Sequence, residues 1–221
     1  MMTDSEFMWQ RARRPDQISQ RITTILDAAG ELFSELPYEK ITMQLIAKRA
    51  NFTRSNLYRY FKTREEIFLK LFRSYVEIWM DEILTVFSQS PLESIETFVT
   101  RWTDILLRRK RLLRLSPLLA ISLEKHVTER VYRDFKISLK DMALSVFPVL
   151  KKALTGFNEE AIGDFLLFNL ALVAGAWPMS QYSEMQKTVL ADPELVWMKI
   201  KFKDFYKRSI AAYLRGLTLE K

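Results

Sequence analysis

No cysteine occurs in the 221 residues. That excludes disulfides, thiol catalysis and cysteine-ligated zinc. A single histidine, His126, leaves no set of imidazoles to hold a catalytic metal within one chain. Glycine and proline are scarce, at five and seven, so a turn-rich β architecture and a glycine-rich phosphate loop are not expected. No obvious carboxylate pair presents itself. A helical enzyme is therefore the weaker reading. Long hydrophobic runs are also few. The most apolar, Phe165 to Met179, is about fifteen residues long and includes Asn169, whereas a membrane span needs roughly 20. The first residues mix Asp4, Glu6, Arg11, Arg13 and Arg14 with no apolar segment, so no signal peptide is expected. These deficits predict a soluble, cytoplasmic, all-α chain with no cofactor, no metal and no membrane partner.

What the sequence does have is a local surplus of positive charge. The formal net charge is +7. Between Met43 and Arg73 stand eight basic residues (Lys48, Arg49, Arg54, Arg59, Lys62, Arg64, Lys70, Arg73) and two acidic ones, Glu65 and Glu66. One short window thus holds +6 of the +7, the footprint expected of an element that binds phosphates.

Helical spacing runs through the chain. After a polar arm over residues 1–16, Ile18, Ile22, Ile25, Ala29, Leu32 and Phe33 place a helix from Gln17 to Leu36, ended by Pro37. Thr42 is placed to cap a short helix to about Arg49, and Thr53 another to about Tyr60. Asn51 sits in the turn between them, where a left-handed backbone is expected. Thr63-Arg64-Glu65-Glu66 reads as a capping box opening a long helix to about Gln89, and Ser90-Pro91-Leu92-Glu93 as a second, opening one to about Arg111. Further helices are expected from Ser116 to about Glu124, from Thr128 to Leu154 and from Asn158 to Trp177. A looser stretch follows, then a last helix from Trp197 to Arg215 closed by Gly216. The spacing predicts two units, an N-terminal arm with three helices (1–62) and a larger helical unit (63–221), joined through the helix from Thr63.

The segment Thr42 to Phe68, TMQLIAKRANFTRSNLYRYFKTREEIF, has the pattern of two short helices around a three-residue turn. Ile46, Ala50, Phe52, Leu57 and Phe61 are spaced to share a small core. That arrangement turns Ser55 and Arg59 outward, with Arg54 and Tyr58 on one flank and Asn56 and Tyr60 on the other. Arginine, serine, asparagine and tyrosine are residues that bond base edges and phosphates. The segment resembles the DNA-binding motif of the tetracycline-repressor (TetR) family. The resemblance rests on Thr42, Ile46-Ala47, Ala50-Asn51, the Leu57-Tyr58-Arg59-Tyr60-Phe61 box and Arg64-Glu65, and covers residues 18 to about 72. Asn51 stands where the family usually has Gly, and Arg64 where it usually has Lys.

The resemblance implies an N-terminal three-helix DNA-binding domain with a helix-turn-helix, followed by a helical ligand-binding and dimerisation domain. Thr42 and Gln44 would touch phosphate. Thr53, Arg54, Ser55 and Asn56 would enter the major groove, with Arg54 paired to guanine. Tyr58, Tyr60, Lys62 and Arg64 would anchor the DNA backbone. The implied partners are a double-stranded operator, a second copy of the chain and a small hydrophobic or amphipathic effector that releases a repressor. Phe98, Arg101, Trp102, Met142, Phe165 and Asn169 are the expected effector-pocket residues. Asp104 and His126 are less favoured polar candidates. Ala171, Ala174 and Gly175, with Phe202, Phe205, Tyr206 and Ile210, are the expected dimer face. The basic run Arg108 to Arg111, with Arg114, reads as a solvated helix end. The alternatives are a helix-turn-helix regulator without an effector and a helical interaction scaffold.

Overall fold

The computed structural model describes residues 4–88 and 94–219, with side chains from Asp16 onward. Ten helices and no strand are found among them: α1 (Asp4–Glu35), α2 (Met43–Arg49), α3 (Arg54–Leu57), α4 (Arg64–Phe87), α5 (Ile95–Arg108), α6 (Lys110–Ile121), α7 (Glu129–Ala153), α8 (Glu159–Met179), α9 (Glu184–Val189) and α10 (Phe202–Leu219). Short 3-10 turns cover Tyr38–Lys40, Leu123–His126 and Val196–Met198.

The helix starts follow the local chemistry. The Thr42, Thr53, Thr63, Thr128 and Asn158 side chains each accept a backbone N–H of their helix's first turn. At Thr63 the box is shifted by one residue. Glu66 reaches back to the Lys62 amide at 2.7 Å instead of the Thr63 amide. Asn51 has φ 57°, and Phe52 N–H returns to the Ala47 carbonyl at 2.8 Å, so α2 closes with a left-handed residue as expected.

Four expectations are corrected. The expected arm is helical from Asp4, in keeping with the good helix formers Glu6, Met8, Gln10, Arg11 and Ala12. The box at Ser90–Glu93 lies outside the described residues, and α5 is capped by Ser94. Ser116-Pro117 starts nothing. It lies inside α6, where the Ser116 hydroxyl donates to the Leu112 carbonyl. Gly216 does not end α10, which begins only at Phe202 and runs past it to Leu219.

Packing makes α4 the spine. Near its start, Phe68 meets Phe33 of α1 and Tyr38 edge-on, with ring centroids 5.6 and 5.0 Å apart. Further along, Phe72 meets Phe135 of α7, and Trp79 meets Trp102 of α5. The basic run at the α5–α6 junction is exposed at Arg108, Lys110, Arg111 and Arg114, as a solvated end would be, but it is also tethered. Arg108 and Arg109 both grip Glu82 of α4, and Arg114 lies 4.7 Å over Phe33. Partial burial pushes the Glu82 carboxyl up, but the two arginines outweigh it and hold it below its ordinary value. Among the described residues, α8 alone is long and apolar enough to cross a membrane. Its inner face packs on α6, α7 and α10, while Leu167, Ala171, Gly175 and Met179 stay exposed, so packing within the chain accounts for only part of its apolar composition.

Candidate nucleic-acid interface

The core behind α3 forms as its spacing demands. Ile46, Ala47, Ala50, Leu57 and Phe61 are buried, with Phe52 packed at the edge. Helical hydrogen bonds continue past α3 to Phe61, whose amide reaches the Leu57 carbonyl at 3.1 Å. With Leu57 and Phe61 held from behind, Thr53, Arg54, Ser55 and Arg59 are exposed on the opposite side. Thr42 and Gln44 are exposed at the start of α2, beside that face in the motif.

The surface is partly pre-ordered. Thr53 and Ser55 hydroxyls lie 3.1 Å apart. Arg54 reaches the Tyr58 hydroxyl at 3.4 Å, a loose tether, and its guanidinium sits 5.5 Å from that ring. Tyr60 accepts a hydrogen bond from Arg21 of α1 at 3.2 Å, which adds a cation the motif does not show. Lys62 donates to the Tyr58 carbonyl at 3.0 Å. Asn56 is half-buried, and its side-chain oxygen is enclosed without a partner, so it presents less than its neighbours.

Arg64 is a correction. It does not face outward to anchor DNA. Its guanidinium donates to the carbonyls of Tyr38 and Ile41 at 3.1 and 2.7 Å, bonds Glu65 and lies 4.1 Å over the Tyr38 ring. Tyr38 in turn donates to Glu65 at 3.0 Å, and burial pushes its hydroxyl up to about 12. Arg64 therefore locks the start of α4 onto the turn after α1. Arg49 likewise turns away, held by Glu35 at 2.6 Å and Glu31 at 3.2 Å. Of the basic window, Lys48, Arg54, Arg59, Lys62, Lys70 and Arg73 are the exposed cations with no carboxylate partner found among the described residues.

The expected effector residues separate. Phe98, Trp102 and Phe165 pack on one another, with ring centroids 4.8 to 5.7 Å apart, and form solid core. Arg101 is exposed, and Met142 lies along an outer groove with Arg73 and Asp141. Asp104 pairs with Lys203, and His126 is exposed against the Ser122 carbonyl. Asn169 alone of the six lines a cavity, of about 380 Å³, whose walls come from α4, α5, α6, α7 and α8. Its other lining residues include Phe72, Trp79, Lys136, Lys140, Ala143 and Phe147. Sequence spacing missed these because their shared wall depends on how separate helices pack. The apolar face of α4 was the one signal available.

The expected dimer residues separate too. Phe202, Tyr206 and Ile210 are buried in the chain's own core against α5 and α8, so they do not form a face for a partner. Ala171 and Gly175 are exposed, and Ala174 and Phe205 half-exposed.

This fold and this exposed helix define a helix-turn-helix DNA-binding protein with a helical second unit. Residues 25–71 match the family description "Bacterial regulatory proteins, tetR family", and residues 74–221 match "Tetracyclin repressor-like, C-terminal domain". The chain belongs to the TetR family of transcriptional regulators, which are DNA-binding proteins and not enzymes. It is 42% identical over 48 residues to the uncharacterised regulator YhgD of Bacillus subtilis, covering 22% of this chain and 25% of the relative. It is 27% identical over 89 residues to RutR of Escherichia coli, covering 39% of this chain and 42% of that protein. The chain thus spans a quarter to two fifths of these relatives' lengths. A TetR regulator from Rhodococcus sp. RHA1 shares the fold, with TM-score 0.57, 20% identity, and coverage of 89% of this chain and 94% of that one. A TetR/AcrR regulator from Thermobifida fusca does so with TM-score 0.53, 19% identity, and coverage of 88% and 96%.

Proposed function

We propose that the chain is a cytoplasmic, homodimeric repressor that leaves its operator when a small apolar or amphipathic effector enters the cavity between α4 and α8. The cavity carries this reading. It is large enough for a small ligand, and its wall is overwhelmingly apolar. Phe72, Val76, Trp79 and Met80 on that wall belong to α4, the helix whose first turns pack Phe68 on the N-terminal unit. A ligand that favours one placement of α4 therefore favours one placement of the recognition helix, to the extent of its differential affinity.

Dimerisation is supported by α8. Leu167, Ala171, Gly175 and Met179, four residues apart in series, are all exposed and form one apolar stripe. The small residues in the middle let a partner helix approach closely. Two heads about 34–36 Å apart would then meet successive major grooves.

The test is a screen of amphiphiles of all charge types against the protein bound to a duplex recovered by selection. At least one compound is expected to lower DNA affinity at saturation. Ala143→Phe, which fills the cavity, should abolish that effect and leave affinity without ligand unchanged. Constant DNA affinity across compounds that measurably raise the protein's Tm contradicts the reading.

A further inference from the structure

The polar groups of the cavity define what it can hold. Its charged lining residues are two lysines, Lys136 and Lys140, one helical turn apart on α7, and no carboxylate joins them among the described residues. Lys136 is already held by Glu124 at 2.7 Å. Lys140 is largely exposed, and its nearest carboxylate, the equally exposed Asp141, is 3.6 Å away. Such a surface pair is weak and easily exchanged.

Deeper in, the orientation of Asn169 is fixed by chemistry. Trp102 Nε1 can only donate, and it lies 3.1 Å from the Asn169 side-chain oxygen. Tyr206 donates to the same oxygen. With its acceptor taken twice, buried Asn169 has its amide N–H₂ left for whatever shares the cavity. Trp79, in the same wall, has a buried indole N–H with no acceptor. Ser116, whose proton goes to the Leu112 carbonyl, offers only an acceptor oxygen. The interior therefore holds two donors in want of acceptors, the Asn169 amide and the Trp79 indole, and its rim is cationic.

We infer that the effector is an amphipathic organic anion, with its charged head on Lys140 at the α7 rim, its apolar body inside, and an uncharged acceptor oxygen near the inner end on the Asn169 amide. This rests on the reading of the cavity as an effector site. The charge belongs at the rim because a carboxylate enclosed with neutral donors alone keeps too little of its hydration. A keto or ether oxygen suits the interior, where it replaces a missing partner instead of burying a charge.

Isothermal titration calorimetry with decanoate, 9-oxodecanoate, decanol and decyltrimethylammonium tests each part. Decanoate should bind about tenfold more tightly than the cation, and 9-oxodecanoate more tightly than decanoate. Lys140→Met, at an exposed position, should weaken decanoate about fivefold and leave decanol unchanged. Equal or tighter binding of decanol or the cation overturns the anion assignment while leaving the cavity as an effector site. Insensitivity of decanoate to Lys140→Met overturns the head-group position. Binding of none of the four overturns the inference and the effector reading together.

Discussion

Replacing Arg54 with Ala is expected to weaken specific DNA binding by roughly 5- to 150-fold for each head that docks, and to relax sequence preference at one base position. The magnitude is that of a lost bidentate arginine–guanine contact, about 1–3 kcal/mol. Arg54 is exposed on the first turn of α3 and only loosely tethered to Tyr58, so its removal leaves the fold's core untouched. Two comparisons isolate the effect. Lys62→Ala should weaken binding to all sequences alike and lower the salt slope by about one. Arg49→Ala should change DNA affinity little, because its guanidinium is spent on Glu31 and Glu35. Fluorescence anisotropy over a salt series measures all three. Equal losses for Arg49 and Arg54 variants would mean that net charge, not the α3 face, carries binding.

The second large effect is on stability. Trp102 is fully buried among Trp79, Phe87, Phe98 and Phe165, and its indole N–H serves both Asn169 and Tyr206, the latter at 2.9 Å. Burial pushes the Tyr206 hydroxyl well above its ordinary value, which keeps it protonated and able to donate. Trp102→Ala should cost about 3–5 kcal/mol. For a chain of this size that lowers Tm by roughly 6–20 °C. Trp102→Phe keeps most of the packing and removes the N–H, so about 1–2 kcal/mol is expected. Urea and thermal unfolding at one fixed protein concentration give both values. A loss below 1 kcal/mol for Trp102→Ala would mean that the aromatic cluster is not the core that positions α5, α8 and α10.

The sequence made the DNA-binding unit legible because its determinants are local. Thr42, Thr53 and Thr63 cap helices within a few residues of themselves, and Asn51 solves a turn with its own backbone. The outward face of α3 followed from Leu57 and Phe61 alone. Arg64 failed the same treatment because its partners, the Tyr38 and Ile41 carbonyls, are more than twenty residues distant. The cavity was misplaced for a related reason. Phe98, Trp102 and Phe165 have the composition of pocket residues, but their rings meet each other across α5 and α8 and fill the space. The true wall draws on Lys136 and Lys140, which in sequence look like any solvated helix face. Phe202, Tyr206 and Ile210 have the spacing of an interface stripe. Only packing shows that α5 and α8 of the same chain already cover it.

The central claim is that the exposed side of residues 53–60 reads duplex DNA. Selection of bound duplexes from a random pool by the purified chain tests it most directly. One enriched motif is predicted, made of two inverted halves about one helical turn apart and lost in the Arg54→Ala protein. A pool that emerges without sequence enrichment, or a chain that ignores duplex DNA at low salt, would contradict it.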